Sequence, residues 1–492
     1  MRPLSASAVH TGFDEQARLR PGAVAITHAG RDVSYGELDA RAQAIAGALG
    51  ALGLPRETRV GIYLPRVPDL VATMFAICRA GFCSVPMDPA YPSKRLEFMA
   101  ADASIAAVVT DTAHAATAPG RGDVLVVDEL GRAPSGPAAG PGVIHPRQLS
   151  HIIYTSGSTG VPKGVAIDHG GLSVFLGWVR DTFSDRELSG TLASTSVCFD
   201  VSTFEIFGTL SWGGRIILVD NVLAAAWSDL DIRMVSTVPS AMREIVNAGG
   251  LPPATETVTL GGEAVDEGLV ESLHRVPSVT RVVNIYGPSE DTTVSSWAEL
   301  YPDRKVTIGR LLPGGFARVI GADGAATLAR PGAQGELLLG GAGVARGYLD
   351  RPGMTAARFL PDPCAEMPGA RVYRTGDLVR VMADEMEFHG RTDHQVKVRG
   401  FRVELEEVAA ALTGCPVVRA AVAVVENGQD GQDAELVAYL VARSDRSPDT
   451  DAVRDHVRQI LPLHMVPSHF RWMERLPTLP NGKVDRAALV SF

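Results

Sequence analysis

Apolar positions along the chain fall into short continuous runs, separated by stretches with a helical period. "RVGIYLP" (59–65) reads as a buried strand, "DLVATMFAICRAG" (69–81) as a helix closed by a glycine, and "AAVVTD" (106–111) as another strand. The alternation returns in "GRIILVD" (214–220), "RMVSTVP" (233–239), "TVTLGGE" (257–263) and "RVVNIYGPSE" (281–290). Sustained over hundreds of residues, it predicts an α/β architecture with largely parallel sheets. Several of these strands end in Gly, Pro, Ser or Thr, at the end where open α/β sheets place their ligands.

Beyond about residue 300 the pattern shifts to strands and turns, as in "GELLLGGAGVARGYL", "RVYRTGDLVRV" and "MEFHGRTDHQVKVRG". A compositionally fresh stretch starts near Asp393, with a helix ("VELEEVAAAL"), two strands ("VRAAVAVVE", "ELVAYLVA") and an amphipathic helix ("DAVRDHVRQIL"). We therefore expect a large domain over 1–392 and a small α+β domain over 393–492. "GRAPSGPAAGPG" (131–142) reads as a low-complexity surface loop without chemistry.

Composition narrows the function classes. Of 492 residues, 46% are hydrophobic and 21% charged, as in ordinary globular proteins, and the net charge of −10 argues against nonspecific nucleic-acid binding. No apolar run is long enough for a membrane span, and the N-terminus lacks a signal-peptide core, so the expectation is a cytoplasmic protein without membrane partners. The five scattered cysteines form no CxxC pair, which fits reduced, mostly buried thiols.

The stretch richest in chemistry is "YTSGSTGVPKG" (154–164). A Walker loop needs its lysine directly after a glycine and before a hydroxyl, whereas Lys163 lies between Pro162 and Gly164. No G-x-G-x-x-G opens a helix here either. The strand "HIIYT" directly upstream makes the stretch a turn leaving a sheet and argues against a flexible linker. Gly157 and Gly160 would let backbone N–H groups approach an anion, Ser156, Ser158 and Thr159 add hydroxyl donors, and Lys163 adds a point charge.

"YTSGSTGVPKG" resembles the phosphate-loop signature of the adenylate-forming superfamily of acyl-CoA synthetases, luciferases and amino-acid adenylation domains of nonribosomal peptide synthesis. Further stretches resemble successive signatures of the amino-acid adenylation branch, in order: "VSYGEL", "RAGFCSVPMDPAYPSKRL", "FDVS", "NIYGPSE", "GELLLGGAGVARGYL", "YRTGDL", "GRTDHQVKVRGFRVELEEV", "LPLHMVP" and "NGKVDR". The resemblance covers nearly the whole chain. It implies two mostly parallel sheets sandwiched by helices, a small β-barrel-like part, and a small mobile C-terminal lid.

The reaction so implied is attack of an amino-acid carboxylate on the α-phosphate of ATP, giving aminoacyl-AMP and pyrophosphate. Transfer to the phosphopantetheine thiol of a separate carrier protein follows, and the need for a small activator protein stays open. Charge repulsion between anions dominates such a barrier, so cations and oriented donors matter most. By resemblance, Lys483 is the main catalytic cation, supported by Thr155 and by Glu290 as the ligand of Mg²⁺. The ATP site would comprise Thr155, Ser156, Gly157, Ser158, Thr159, Gly160 and Lys163, with Asn284, Tyr286, Gly287 and Ser289 from a second motif. In it Tyr286 would stack on adenine, Asp377 would accept from the ribose hydroxyls, and Arg391 would also reach the nucleotide.

By the same resemblance Asp200 in "VCFDVSTFEIF" would bind the substrate α-amine, which would supply the partner that an aspartate in an apolar run needs. The competing expectation is a helix N-cap formed by Asp200 or Ser202. Position by position, the side-chain pocket would be lined by Val201, Phe204, Ser236, Thr259, Gly261, Ile285, Thr293 and Val294. None is charged, which favours a small neutral amino acid: alanine first, then 2-aminobutyrate, proline, valine, serine and threonine. Asp393 matches the hinge of the lid, and "KVRG", with Lys397 and Gly400, would enter the site for thiol transfer. An exposed basic hairpin is the alternative for that segment.

Ser289, Asp291, Glu406 and His464 depart from residues common in the family. The initiating Met slightly favours a free-standing enzyme. Competing functions are an acyl- or aryl-CoA ligase of the same superfamily, or an inactive scaffold that kept the fold.

Overall fold

The structure, a computed structural model, describes residues 8–131, 143–157, 160–222, 230–365, 368–393, 395–398, 401–427, 434–443, 446–477 and 484–490. It divides into two compact units. The larger holds Met1–Pro89, Ala100–Ile153 and Gly164–Thr392, and the smaller holds Ala90–Met99, Tyr154–Lys163 and Asp393–Phe492. The smaller unit thus takes in the glycine-rich turn and a helical segment from the N-terminal part of the chain.

Among the described residues, the strands of the larger unit form two big sheets and one smaller one. In the first, Arg281–Tyr286, Thr257–Gly261, Met234–Thr237, Thr191–Ala193, Ile216–Leu218 and Val24–His28 run parallel, with antiparallel neighbours at both edges. In the second, Cys83–Pro86, Arg59–Tyr63, Ala107–Thr110 and Asp123–Val126 are parallel, continuing through Leu149–Thr155 and Lys163–Asp168. Such strands are buried on both faces, which is why they read as continuous apolar runs. The third sheet is antiparallel, built on Gln334–Gly341 and Arg371–Val381. The α/β class with mostly parallel sheets and a small β part is as expected.

Helices Tyr35–Ala51, Pro68–Arg79 and His169–Thr182 bring the core its aromatic and aliphatic faces. Phe13 stacks on Phe75 with ring centroids 4.2 Å apart, and Phe75 meets Phe207 edge-on. The buried Tyr35 hydroxyl donates to the carbonyls of Gly214 (2.7 Å) and Leu210 (3.1 Å), satisfying the group that burial would otherwise penalise.

In the smaller unit, helix Leu405–Thr413 packs with strands Val418–Asn427 and Ala434–Ala442, which are antiparallel, and with helix Thr450–Arg458. His469–Trp472 adds a parallel strand. Val403, Val408, Leu412, Leu440 and Val453 are fully buried at its centre. His464 lies stacked on Phe401, with ring centroids 4.1 Å apart.

In the larger unit His151 and His169 are buried and His10 is half-buried. Desolvation lowers His10 to about 4 and both His151 and His169 to about 3. The His169 Nδ1 accepts from the Val9 backbone N–H, a bond that only the neutral ring can make. A folded pKa below the unfolded 6.5 means that this stability is fully present above pH 6.5 and lost as pH falls toward the folded value. We expect the stability advantage of wild type over His169→Gln to shrink by about 2 kcal/mol between pH 7 and pH 5. Chemical denaturation of both proteins at the two pH values measures this double difference; an unchanged difference would show that His169 takes up its proton without opening the fold.

Candidate active site

The residues of interest in the larger unit gather at the carboxyl ends of the parallel strands of the first sheet. Strand Arg281–Tyr286 leaves the sheet through Gly287 and Pro288 into a short 3₁₀ turn, Ser289–Asp291. A Cβ on Gly287 would lie 2.6 Å from the Thr293 carbonyl and 2.8 Å from the Ser295 nitrogen, so only glycine lets the chain double back this closely. Thr292 (φ 50°) and Thr293 (φ 70°) both adopt left-handed backbone, which is costly for β-branched residues. The turn is held by many bonds: Ser295 N to Tyr286 O, Ala345 N to Glu290 O, and Thr292 Oγ1 to Gly343 O.

Three side chains leave this turn and its strand in different directions. The Tyr286 hydroxyl donates to Asp377 Oδ2 (2.5 Å), and Arg391 donates to the other oxygen of the same carboxylate. Asp377 follows Gly376 (φ 80°) at a break in strand register opposite Arg391; such bulges re-aim a side chain. Burial first, and then the charge of Asp377, push the Tyr286 phenol well above its ordinary range, so it remains a donor. Each Asp377 oxygen keeps a second lone pair for a further donor such as a hydroxyl. Asn284 spends its amide on the Thr307 carbonyl (2.7 Å).

Glu290 is fully buried, and its Oε1 accepts from the Tyr348 hydroxyl (2.8 Å). One carboxylate is enough for a Mg²⁺ held mainly by phosphate and water. Here Glu290 is withdrawn from solvent, so it would meet such an ion only from within the site. Among the described residues, no group of three His, Cys, Asp or Glu side chains could hold a metal.

The third direction leads to Asp200. It occupies the N-cap position of the short helical turn Val201–Thr203, yet its side chain makes no cap hydrogen bond, and Ser202 Oγ donates back to the Phe199 carbonyl. The N-cap expectation therefore fails for both residues. The Asp200 carboxylate instead accepts a hydrogen bond from Ser289 Oγ, while Thr293 Oγ1 approaches the Asp200 carbonyl at 3.5 Å.

Ser236, Thr259, Gly261 and Ile285, four of the eight expected pocket residues, are placed by strand register. Ser236 pairs with Thr259 and Thr259 with Val283; Gly261 pairs with Ile285. Ile285 Cγ1 lies 2.7 Å from where a Gly261 Cβ would be, so its side chain fills the space above that glycine. Ser236, Thr259, Phe204, Thr293 and Val294 are buried, and Val201 is half-buried. The Phe204 ring packs among Phe175, Trp178 and Phe183. A cavity of about 370 Å³ lies at the opposite, amino ends of the strands, where Thr257 and Arg281 begin them, and holds none of the expected site residues.

Glu205 was not among the expected residues, although an acid inside the apolar run "STFEIF" is visible in the sequence. It is fully buried in a π-helical segment, Phe204–Gly208, and accepts from Ser194 N, Thr195 N and Thr195 Oγ1. Desolvation raises it to about 7, opposed by Arg66. Glu205 thereby ties the chain leaving strand Thr191–Ala193 to the segment that follows Asp200.

In the smaller unit, the glycine-rich turn lies on helix Leu405–Thr413. Gly157 N donates to Glu407 Oε2 (3.1 Å), Ser156 Oγ donates to the Arg402 carbonyl (2.9 Å), and Gly160 (φ 80°) faces Ala410. Glu407 also pairs with Arg95 at 2.5 Å, both side chains being buried. Lys163 is buried at the start of its strand, and Thr155 Oγ1 is buried without a hydrogen-bond partner. Asp393 Oδ1 accepts weakly from Gln395 N (3.4 Å), and Lys397 sits in the strand Val396–Val398. Ser158, Thr159, Gly400 and Lys483 lie outside the described residues.

Residues 13–349 match the AMP-binding enzyme family, and residues 407–483 match its C-terminal domain. The chain belongs to the AMP-binding enzyme family. Among curated relatives of this AMP-binding enzyme, a linear gramicidin synthase polypeptide from Brevibacillus parabrevis is 41% identical over 98% of the chain. The AMB antimetabolite synthetase AmbB of Pseudomonas aeruginosa is 42% identical over 99%. The chain spans only 9% and 39% of those two proteins. Among solved structures, NpsA-ThdA, an artificially fused adenylation–PCP di-domain of a nonribosomal peptide synthetase from Klebsiella oxytoca, superposes with a TM-score of 0.83. It shares 25% identity, over 94% of this chain and 93% of that one. The AMP-binding enzyme thus shares its fold with that adenylation di-domain.

The Tyr286–Asp377–Arg391 group makes a stability prediction. Removing the carboxylate takes an ion-pair partner from the largely buried Arg391 and the acceptor from the buried Tyr286 hydroxyl, so Asp377→Ala is expected to cost about 3 kcal/mol, and Tyr286→Phe about 2 kcal/mol. Denaturant midpoints check both; unchanged midpoints would show that the three groups do not hold one another.

Proposed function

We propose that this chain activates an α-amino acid and passes it to a carrier thiol. An oxygen of the amino-acid carboxylate attacks the α-phosphorus of ATP, the bond to the bridging oxygen breaks, and pyrophosphate leaves. The phosphopantetheine thiol of a carrier protein then attacks the aminoacyl carbonyl and expels AMP. The observation that carries this reading is the Asp200 side chain. It does not cap its helix, and it lies beside the turn that bears the nucleotide-type motif. A carboxylate there suits a substrate ammonium and has no use in binding a plain acyl or aryl acid, which disfavours a CoA ligase.

The substrate side chain is proposed to be small and neutral. The face built by Ser236, Thr259, Gly261 and Ile285 carries no charge, and Ile285 already occupies the depth above Gly261. Alanine is the first candidate, followed by 2-aminobutyrate, proline, valine, serine and threonine.

Lys483 is proposed as the cation that neutralises charge between carboxylate and α-phosphate, with Thr155 and the turn 155–163 serving the departing pyrophosphate. Asp377, Tyr286 and Arg391 form the proposed ribose and adenine side. Glu290 is the proposed ligand from the chain for the Mg²⁺ that accompanies ATP. Asp393 is the proposed hinge between an adenylating and a thiol-transfer arrangement, with 397–400 serving the second, and 393–492 the proposed mobile domain.

ATP–pyrophosphate exchange across a panel of small neutral amino acids tests the reading. Exchange is expected to be strongest with alanine, and Lys483→Ala is expected to lower it by ~100-fold or more without loss of folding. CoA thioester formation from a non-amino acid, with no amino-acid-dependent exchange, would sink it.

A further inference from the structure

The motif "YGPSE" (286–290) is expected to serve the nucleotide, yet the Ser289 hydroxyl is engaged with Asp200. It donates to a carboxylate oxygen of Asp200, 89 residues distant in sequence. The geometry points to Ser289 as a positioning residue of the amine subsite: it holds and orients the Asp200 carboxylate that receives the substrate ammonium. This inference rests on the amino-acid reading above and goes beyond it in assigning Ser289 to the amino acid.

Two independent features support it. First, Asp200 makes no cap hydrogen bond to its own helix, whereas Ser289, from elsewhere in the chain, donates to its carboxylate. A hydroxyl on one carboxylate oxygen restricts both torsions of the side chain, and a carboxylate has lone pairs enough to accept from an ammonium as well. The hydroxyl oxygen itself also retains lone pairs that can accept from that ammonium.

Second, the hydroxyl is carried by a rigid support. Ser289 opens the 3₁₀ turn whose exit passes through two left-handed threonines, and that backbone persists only because Gly287, Gly343 and Ala345 fix it from both sides. Thr293, the second of these, also reaches the Asp200 carbonyl, so the turn meets Asp200 at both main chain and side chain. A strained and over-determined turn is a suitable place from which to aim a small polar group. Glu205 contributes from the opposite direction by fixing residues 194–195 ahead of Asp200.

The test uses the full chain and the amino acid that gives the strongest exchange. Initial rates of ATP–pyrophosphate exchange are measured for wild type, Ser289→Ala, Ser289→Thr, Asp200→Asn and the double variant Asp200→Asn/Ser289→Ala. Ser289→Ala is expected to raise the KM for the amino acid about tenfold, with the KM for ATP and kcat each within about twofold of wild type. Ser289→Thr, which keeps the hydroxyl, should restore the amino-acid KM. The double variant should be no worse than Asp200→Asn alone, because the hydroxyl acts through that carboxylate.

A rise in the KM for ATP, or a fall in kcat, with the amino-acid KM unchanged would return Ser289 to the nucleotide and overturn the inference. If Asp200→Asn impairs amino-acid binding while Ser289→Ala is silent, the inference fails and the amine reading survives. If Asp200→Asn itself leaves the amino-acid KM unchanged, or wild type exchanges no amino acid, the underlying reading fails and takes the inference with it. Thermal midpoints of the single variants within a few degrees of wild type exclude misfolding as the cause.

Discussion

The arrangement of the larger unit's site depends on one backbone event, the tight return of the chain after Tyr286. Because the main chain of 293–295 passes within van der Waals distance of Gly287, the turn cannot relax outward. Thr292 and Thr293 absorb the reversal in left-handed conformations that isolated threonines avoid. Compensation comes from hydrogen bonds to Gly343 and Ala345, which belong to a quite different part of the chain. From this one fixed point Tyr286 reaches Asp377, Ser289 reaches Asp200 and Glu290 reaches Tyr348. Groups from four regions of sequence are thus referred to a single rigid turn.

The second organising constraint is the burial of charge. Glu205, Glu407 and Asp377 are all withdrawn from water, and each is met by backbone N–H groups, hydroxyls or an arginine. Such groups contribute little net stability when complete and are costly when broken, so they specify geometry more than they strengthen the fold. Asp291 is the exception that stands out: burial raises its carboxyl to about 7, and its Oδ1 has no hydrogen-bond partner.

Much of the fold is legible from local pattern. Parallel strands covered on both sides read as unbroken apolar runs, and the helix Pro68–Arg79 announces itself by proline at its start and glycine just past its end. In the small unit, helices Leu405–Thr413 and Thr450–Arg458 and strands Val418–Asn427 and Ala434–Ala442 follow from period, whereas strand His469–Trp472 does not. The site is legible in a different way: its chemical residues stand out because polar groups interrupt apolar strand ends, as Asp200 does in "VCFDVSTF". What they bond to is not legible, since Tyr286 and Asp377 are 91 positions apart and lie in strands of two different sheets. Nor does any local signal announce the π-helical winding at Phe204–Gly208, which arises where Glu205 must face inward while Phe204 stays in the aromatic core. The smaller unit's claim on the glycine-rich turn is equally non-local, since it arises from Glu407 and Ala410 some 250 residues downstream.

Phe204 carries a consequence for redesign. Its ring is shared between the face expected to meet the substrate and an aromatic cluster with Phe175, Trp178 and Phe183, which Trp297 extends. A smaller residue there would open room for a larger amino acid, but it would also leave a void beneath the helix His169–Thr182. Recognition and scaffold are therefore not separable modules at this position. Laboratory evolution toward bulkier substrates would have to move through paired changes, one enlarging position 204 and another refilling the space around Trp178, and single-step paths would be filtered by foldability before selectivity could be selected.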